Sequence, residues 1–162
     1  HPRNAGNIDN LNRSAEYIKE FFVSSGARVT AQGVPIGYYD SAPGSQDYPY
    51  PAMSWLYPDR GDFIAVVGRM PDINAVRQVK AALLSSRDLS VYSMNAPGFI
   101  PGIDFSDHLN YWQHDIPAVM ITDTAFYRNK QCHLPGDTAD RLNYEKMAQV
   151  VDGVITLLYN SK

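Results

Sequence analysis

Five apolar residues in a row, Phe63 to Val67, followed closely by Pro71-Asp72 and then by Val76, Val79 and Leu83, do most to limit what this chain can fold into. A continuous run of that length suits a strand buried on both faces. Pro71 can open a helix because its missing N–H is not needed in the first turn, and positions 76, 79 and 83 share one helical face. A strand that feeds directly into a helix is the repeating unit of layered α/β folds.

The rest of the chain reads in the same alternation. Asn10 can cap a helix whose stripe is Leu11, Ala15, Ile18 and Phe22 and which ends before Gly26. Arg28 to Gln32 alternates weakly, and Val34 to Tyr39 is apolar enough for a second short strand, or for one bent strand interrupted at Gly33-Val34-Pro35. Asp40 to Asp62 is rich in Pro, Gly, Tyr and Ser, which predicts an irregular excursion, and Trp55, Leu56 and several Tyr are expected to pack it onto the body. Leu89 to Met94 and Ala118 to Ile121 are further strands, with a short helix capped by Ser106 between them. Polar residues from Asp140 to Asn143 then start a last helix with Met147, Val151, Val154 and Leu158 on its apolar face. The expected architecture is one α/β domain over residues 1–162: a small, mostly parallel sheet covered by helices on both faces. Ligands in such sheets bind beyond the carboxyl ends of the strands, here the stretches after Tyr39, Met94 and Ile121.

Composition narrows the function classes. A chain of 162 residues can bury a core without disulfides or a structural metal. No stretch approaches the roughly eighteen consecutive apolar residues of a membrane span, so no membrane role is expected. The net charge is -3 and the 14 Lys and Arg residues are scattered, which argues against nucleic acid as a partner. Cys132 is the single cysteine and forms no internal disulfide, so cysteine usage leaves the compartment open. The chain starts at His1, not Met, consistent with upstream processing or an incomplete N-terminus, and no signal-peptide pattern is present to be read.

Chemistry-bearing residues concentrate between Asp104 and Asp140: Ser106-Asp107-His108, His114, Asp123, Tyr127, Arg128, Cys132-His133 and Asp137. His133 precedes the turn-forming run Leu134 to Thr138, which would present its imidazole from a loop, with Asp137 placed to orient the neighbouring backbone or ring. A loop histidine of this kind is a metal ligand or base, or simply a solvated residue. Ser106, Asp107 and His108 are adjacent, point in different directions and make a poor nucleophilic triad. A helix start explains them better, with Ser106 as cap and Asp107 near the positive end of the dipole. His114 suits the opposite end of that helix, and Cys132 reads as a small buried or half-buried residue.

Taken as an ordered pattern, Ser106-Asp107-His108, Tyr111-Trp112, Ile116 to Met120, Thr122 to Asn129, His133, Asp137-Thr138, Leu142 and Tyr144 resemble the C-terminal half of the zinc-dependent aminopeptidase family. That family includes bacterial leucine aminopeptidases and is related to glutaminyl cyclases. Ile36 to Tyr39, Pro43 to Gln46 and Tyr57 to Gly61 extend the likeness upstream, and Pro2-Arg3-Asn4 with Ala15 to Gln32 matches the family's start. The resemblance implies a peptide hydrolase in which two zinc ions, bridged by a carboxylate, activate water beside a general-base Glu. It carries His133 over as a zinc ligand, makes Tyr127 and Arg128 substrate contacts, and implies a peptide or amino-acid-like small molecule as partner.

The departure from the pattern is larger than any substitution. After the stretch ending near Gln32, the family places the first His ligand, the bridging Asp and the paired Glu residues; here the chain passes almost directly to Ile36-Gly37-Tyr38. A further acidic ligand aligns with Val34. Of the usual five ligands His133 alone matches, and one imidazole holds zinc poorly. Three readings follow. The first is a shortened aminopeptidase-like domain without two-zinc catalysis that binds or scaffolds. The second is a working hydrolase rebuilt from His133, Asp123, Asp107, His108 or a partner subunit's groups. The third is an incomplete or engineered form of a full enzyme joined near Gln32 to Val34. An uncovered strand edge would also favour a homo-oligomer.

Overall fold

The computed structural model describes residues 36–86 and 88–160. The helix expected from Asn10, the strand from Arg28 and the likeness at Pro2-Arg3-Asn4 lie outside these.

The Phe63 to Val67 run forms β1 (Phe63–Gly68), buried at every position. Its odd residues face one side and its even residues the other, as the two-residue period of a strand requires. Arg69 then turns the chain. Its guanidinium bonds the buried carboxylate of Asp72 at 2.9 Å and the carbonyl of Trp112 at 3.1 Å, fixing the start of α1 (Ile73–Leu83). Val76, Val79 and Leu83 are buried on its inner face, as their spacing predicts. The chain returns as β2 (Ser90–Asn95), parallel to β1 with Phe63 opposite Ser90 and Gly68 opposite Asn95.

The third strand departs from the expected mostly parallel sheet. β3 (Val119–Thr122) runs antiparallel to β1, pairing Val119 with Gly68 and Thr122 with Ala65, so the sheet is mixed with order β2-β1-β3. The cause lies in the connections. α1 carries the chain back to the starting end of the sheet, which parallel pairing requires. Residues 96–118 contain only the five-residue α2 (His108–Trp112) and deliver the chain to Val119 beside Gly68, at the end where β1 and β2 finish. The next strand therefore runs back, and the stretches after Met94 and after Ile121 leave from opposite ends of the sheet.

Helices lie on both faces. Ile64, Val66 and Val91 pack against Val76, Val79 and Leu83 of α1 and Val150 of α3 (Tyr144–Asn160). Phe63, Ala65 and Val67 pack against Ala96, Ile103 and Trp112. Burying side chains of this kind contributes about 1.5–3 kcal/mol each, so these two clusters dominate cohesion.

Three local expectations change. Residues 36–39 form no strand; a single bridge joins Asp40 to Gly61, because the N–H groups of Gly37 and Tyr38 go to the Asp123 carboxylate instead of a ladder. Ser106 does not cap α2: Asp107 holds the cap position without a side-chain bond, and Ser106 offers only its carbonyl, to Leu109. In the 40–62 excursion Tyr48 and Tyr57 are tied down, through the carbonyls of Pro58 and Ser93. Trp55 and Leu56, on and just after the short helical turn Pro51–Trp55, are instead 86% and 77% exposed.

The inner face of α3 is also rotated from the expected one. Asn143 caps it by accepting the Lys146 N–H at 3.0 Å, but Val150 and Gly153 are its buried residues, with Val154 and Leu157 beside them. Gly153 explains the rotation: a Cβ there would sit 2.7 Å from Leu83 Cδ2 and 2.8 Å from Leu83 Cα. α3 meets α1 at its smallest residue. Gly153→Ala is expected to destabilise the protein by about 1–3 kcal/mol through overpacking, even though alanine is the better helix former. A urea midpoint unchanged from wild type would show that the helices separate freely.

Candidate functional site

The segment after β3 holds most of the chemistry-bearing residues, and it is anchored by a buried polar corner. Asp123 is 1% exposed. Its Oδ2 accepts the N–H groups of Gly37 at 3.0 Å and Tyr38 at 2.8 Å, and its Oδ1 accepts that of Ala125 at 3.0 Å. Burial pushes its pKa up, against the pull of these donors and of the Arg128 charge. Thr124 and Ala125 follow with φ of 72° and 48°. Two successive left-handed residues without glycine, one of them β-branched, are strained and need outside support. Thr124 receives it from both sides, its N–H donating to Thr122 Oγ1 and its hydroxyl to Gln46 Oε1, each at 3.0 Å.

Arg128 closes the corner. It is 4% exposed. Its Nε donates to Gln46 Oε1 at 3.0 Å, and its Nη1 to the carbonyls of Tyr38 at 3.0 Å and Phe63 at 2.9 Å. The guanidinium stacks 4.6 Å from the Phe63 ring centre and 5.8 Å from that of Tyr39. All three acceptors are neutral, and burial draws the Arg128 pKa down. Gly61 makes room for it, since a Cβ there would meet the Arg128 side chain at 2.5 Å. Tyr127 beside it is only partly buried; its hydroxyl reaches the Pro101 carbonyl at 3.1 Å, and its ring lies 4.5 Å from Phe126.

The next loop presents His133 on a braced frame. Asp137 accepts the His133 backbone N–H at 3.1 Å and the Asn129 side-chain amide at 2.8 Å, so it orients backbone and not the imidazole. Arg141 bonds Asn129 Oδ1, the Gly136 carbonyl and the Tyr38 hydroxyl. His133 itself is exposed, with φ of 62°. Among the described residues no three His, Cys, Asp or Glu side chains come together to hold a metal, and each Asp137 oxygen already accepts a hydrogen bond. These residues do not by themselves fit a zinc ion, whose sites take three or four protein ligands. Cys132 is half-buried, and burial, then Asp137 and Asp123, push its pKa up, the opposite of what a reactive thiol needs.

The structure does not gather His108, Asp107, Asp123 and His133 into one centre. His108 is buried with Nε2 2.6 Å from the Ile103 carbonyl, so that nitrogen carries the proton, and its ring meets Trp112 edge-on at 4.4 Å. Asp107 and His114 are exposed. Gln46, part of the Pro43 to Gln46 stretch that carries the resemblance but given no role of its own there, is 5% exposed and joined to both Thr124 and Arg128. A glutamine in an irregular stretch belongs to no period, so its part in the corner shows only from its neighbours in space.

The fold is a distant, aminopeptidase-like α/β fold. Two crystal structures of LapA from Legionella pneumophila, one described as an aminopeptidase, superpose with TM-scores of 0.53 and 0.52 at 20% and 18% identity. Each match covers 86% of this chain, and the chain spans about a third of either structure (34% and 33%). The uncharacterized protein YfbL of Escherichia coli (strain K12) is 55% identical over 271 residues, covering 100% of this chain and 84% of YfbL; the chain belongs to the YfbL family. No protein-family model matches it. No helix among the described residues is long and apolar enough to cross a membrane.

Proposed function

We propose that this chain is a shortened zinc-aminopeptidase-like domain that works by binding or scaffolding and does not carry out two-zinc peptide hydrolysis. The observation that carries the reading is how the acids and histidines nearest the expected site are used. Asp123 is buried and held by three backbone donors, Asp137 accepts one donor on each oxygen, and His108 is packed on Trp112. They serve as structural parts. The length of the YfbL match adds support: 271 aligned positions against 162 residues leave at least 109 positions (271 less 162) without a counterpart here. That many unmatched positions are enough to hold the ligand-bearing segment. In this reading Tyr127, with Phe126 beside it, contacts a peptide or amino-acid-like molecule, and buried Arg128, next in the chain, anchors the segment to Gln46, Tyr38 and Phe63.

A second reading keeps hydrolysis, with a metal site rebuilt or shared between subunits around His133. It is favoured by the bracing of the His133 loop through Asn129, Asp137 and Arg141, which leaves the imidazole exposed on a fixed frame. Hydrolysis of an amino-acid chromogenic anilide by zinc-supplemented protein, with and without chelator and beside His133→Ala, separates the two. No turnover above background and no zinc retained after dialysis are expected. Chelator-sensitive turnover that disappears in His133→Ala would sink the first reading in favour of the second.

A further inference from the structure

Among the described residues β2 ends the sheet, and its outer edge has a defined pattern. Ala96 donates its N–H to Gly68, which lies opposite Asn95 in a parallel ladder. Residues 90, 92 and 94 therefore turn their backbone groups toward β1, and Val91, Ser93 and Asn95 turn theirs outward. The middle one of these outward residues is covered: Tyr57 donates its hydroxyl to the Ser93 carbonyl at 3.1 Å. The Tyr57 ring is held edge-on to Tyr92 at 6.2 Å and tilted against Tyr48 at 5.9 Å, and burial raises its pKa, so it stays a neutral donor.

Proteins blunt exposed edges with lysine, proline, bulges or a covering loop. The segment Ser90-Val91-Tyr92-Ser93-Met94-Asn95 has no lysine, proline or other charge, and among the described residues Tyr57 is the side chain that covers it. We propose that the outer edge of β2 is a self-pairing strand, antiparallel to β2 of a second copy about a two-fold axis at Ser93, and that Tyr57 keeps it closed. The outward residues are symmetric about Ser93. Val91 then faces Asn95 of the partner subunit and Ser93 faces Ser93 of the partner subunit, with no like charges opposed. The proposal needs only the sheet and Tyr57, so it stands whether or not the protein hydrolyses peptides.

Light scattering on the full chain tests it. Wild type is expected at the mass of one chain, 18.1 kDa, and Tyr57→Ala at twice that mass. Tyr57→Phe, which keeps the ring and frees only the carbonyl, is expected to populate the doubled mass in part. Adding Ser93→Pro to either variant removes an outward N–H without touching the ladder to β1, and restores the single-chain mass. The idea is overturned if wild type is already doubled, if both Tyr57 variants stay single, if the doubled mass survives Ser93→Pro, or if it comes with lost far-ultraviolet circular dichroism.

Discussion

Arg128→Ala is expected to lower stability by roughly 3–5 kcal/mol, the range for breaking a buried network and stranding its acceptors. Three acceptors lose a charged donor at once: the buried Gln46 Oε1 and Phe63 carbonyl, and the part-buried carbonyl of Tyr38. The rings of Phe63 and Tyr39 lose the group stacked on them. Because a domain's whole stability is about 5–15 kcal/mol, the variant should be partly unfolded at room temperature, visible as a urea midpoint shifted far toward zero. Arg128→Lys should recover less than half of the loss, since one ammonium cannot span acceptors that a planar fork reaches on two sides. A near-wild-type midpoint for Arg128→Ala would mean that water replaces the guanidinium at little cost, and that the corner does not hold the fold.

The second large effect is at Asp123. Asp123→Ala leaves the N–H groups of Gly37, Tyr38 and Ala125 without their acceptor, at about 1–3 kcal/mol for each one that water does not reach. It also removes a brace from the strained Thr124-Ala125 turn. A loss of about 3 kcal/mol is expected, with amide exchange rising first at those three N–H groups. Faster exchange spread evenly over the molecule would instead indicate a general loss of stability. Arg128 and Asp123 both grip Tyr38, one through its carbonyl and one through its N–H. The double variant should therefore lose less than the two single losses added together.

Some of this was legible in the sequence. β1 and α1 could be read because a short apolar run and a proline-started helical stripe each carry their own period. β2 and β3 were legible as strands, but the direction of β3 was not, since it depends on where a connection with little helix sets the chain down. The 36–39 segment misleads because its polar backbone is satisfied by a carboxylate 86 positions away, which no local pattern encodes. The face of α3 misleads because its closest contact is made by Gly153, a residue that adds nothing to a count of apolar side chains. At the candidate site, the resemblance singled out Tyr127, Arg128 and His133, and the structure sets them apart: Arg128 inside, Tyr127 half-covered, His133 on the surface. An arginine reads as a surface residue until its acceptors are known, and Gln46 lies in a resembling stretch that gives no sign of the bonds it makes.

The order in which the chain assembles is already implied by its corner. β1, α1 and β2 contact one another across short stretches of chain, whereas Asp123 and Arg128 reach back 86 and 90 residues to Gly37 and Tyr38. Closing loops that long carries the larger entropy loss, so the strand–helix–strand unit gathers first and the corner locks after it. Damage to the corner should then quicken unfolding more than it slows folding, making Arg128 and Asp123 guardians of the native state's lifetime.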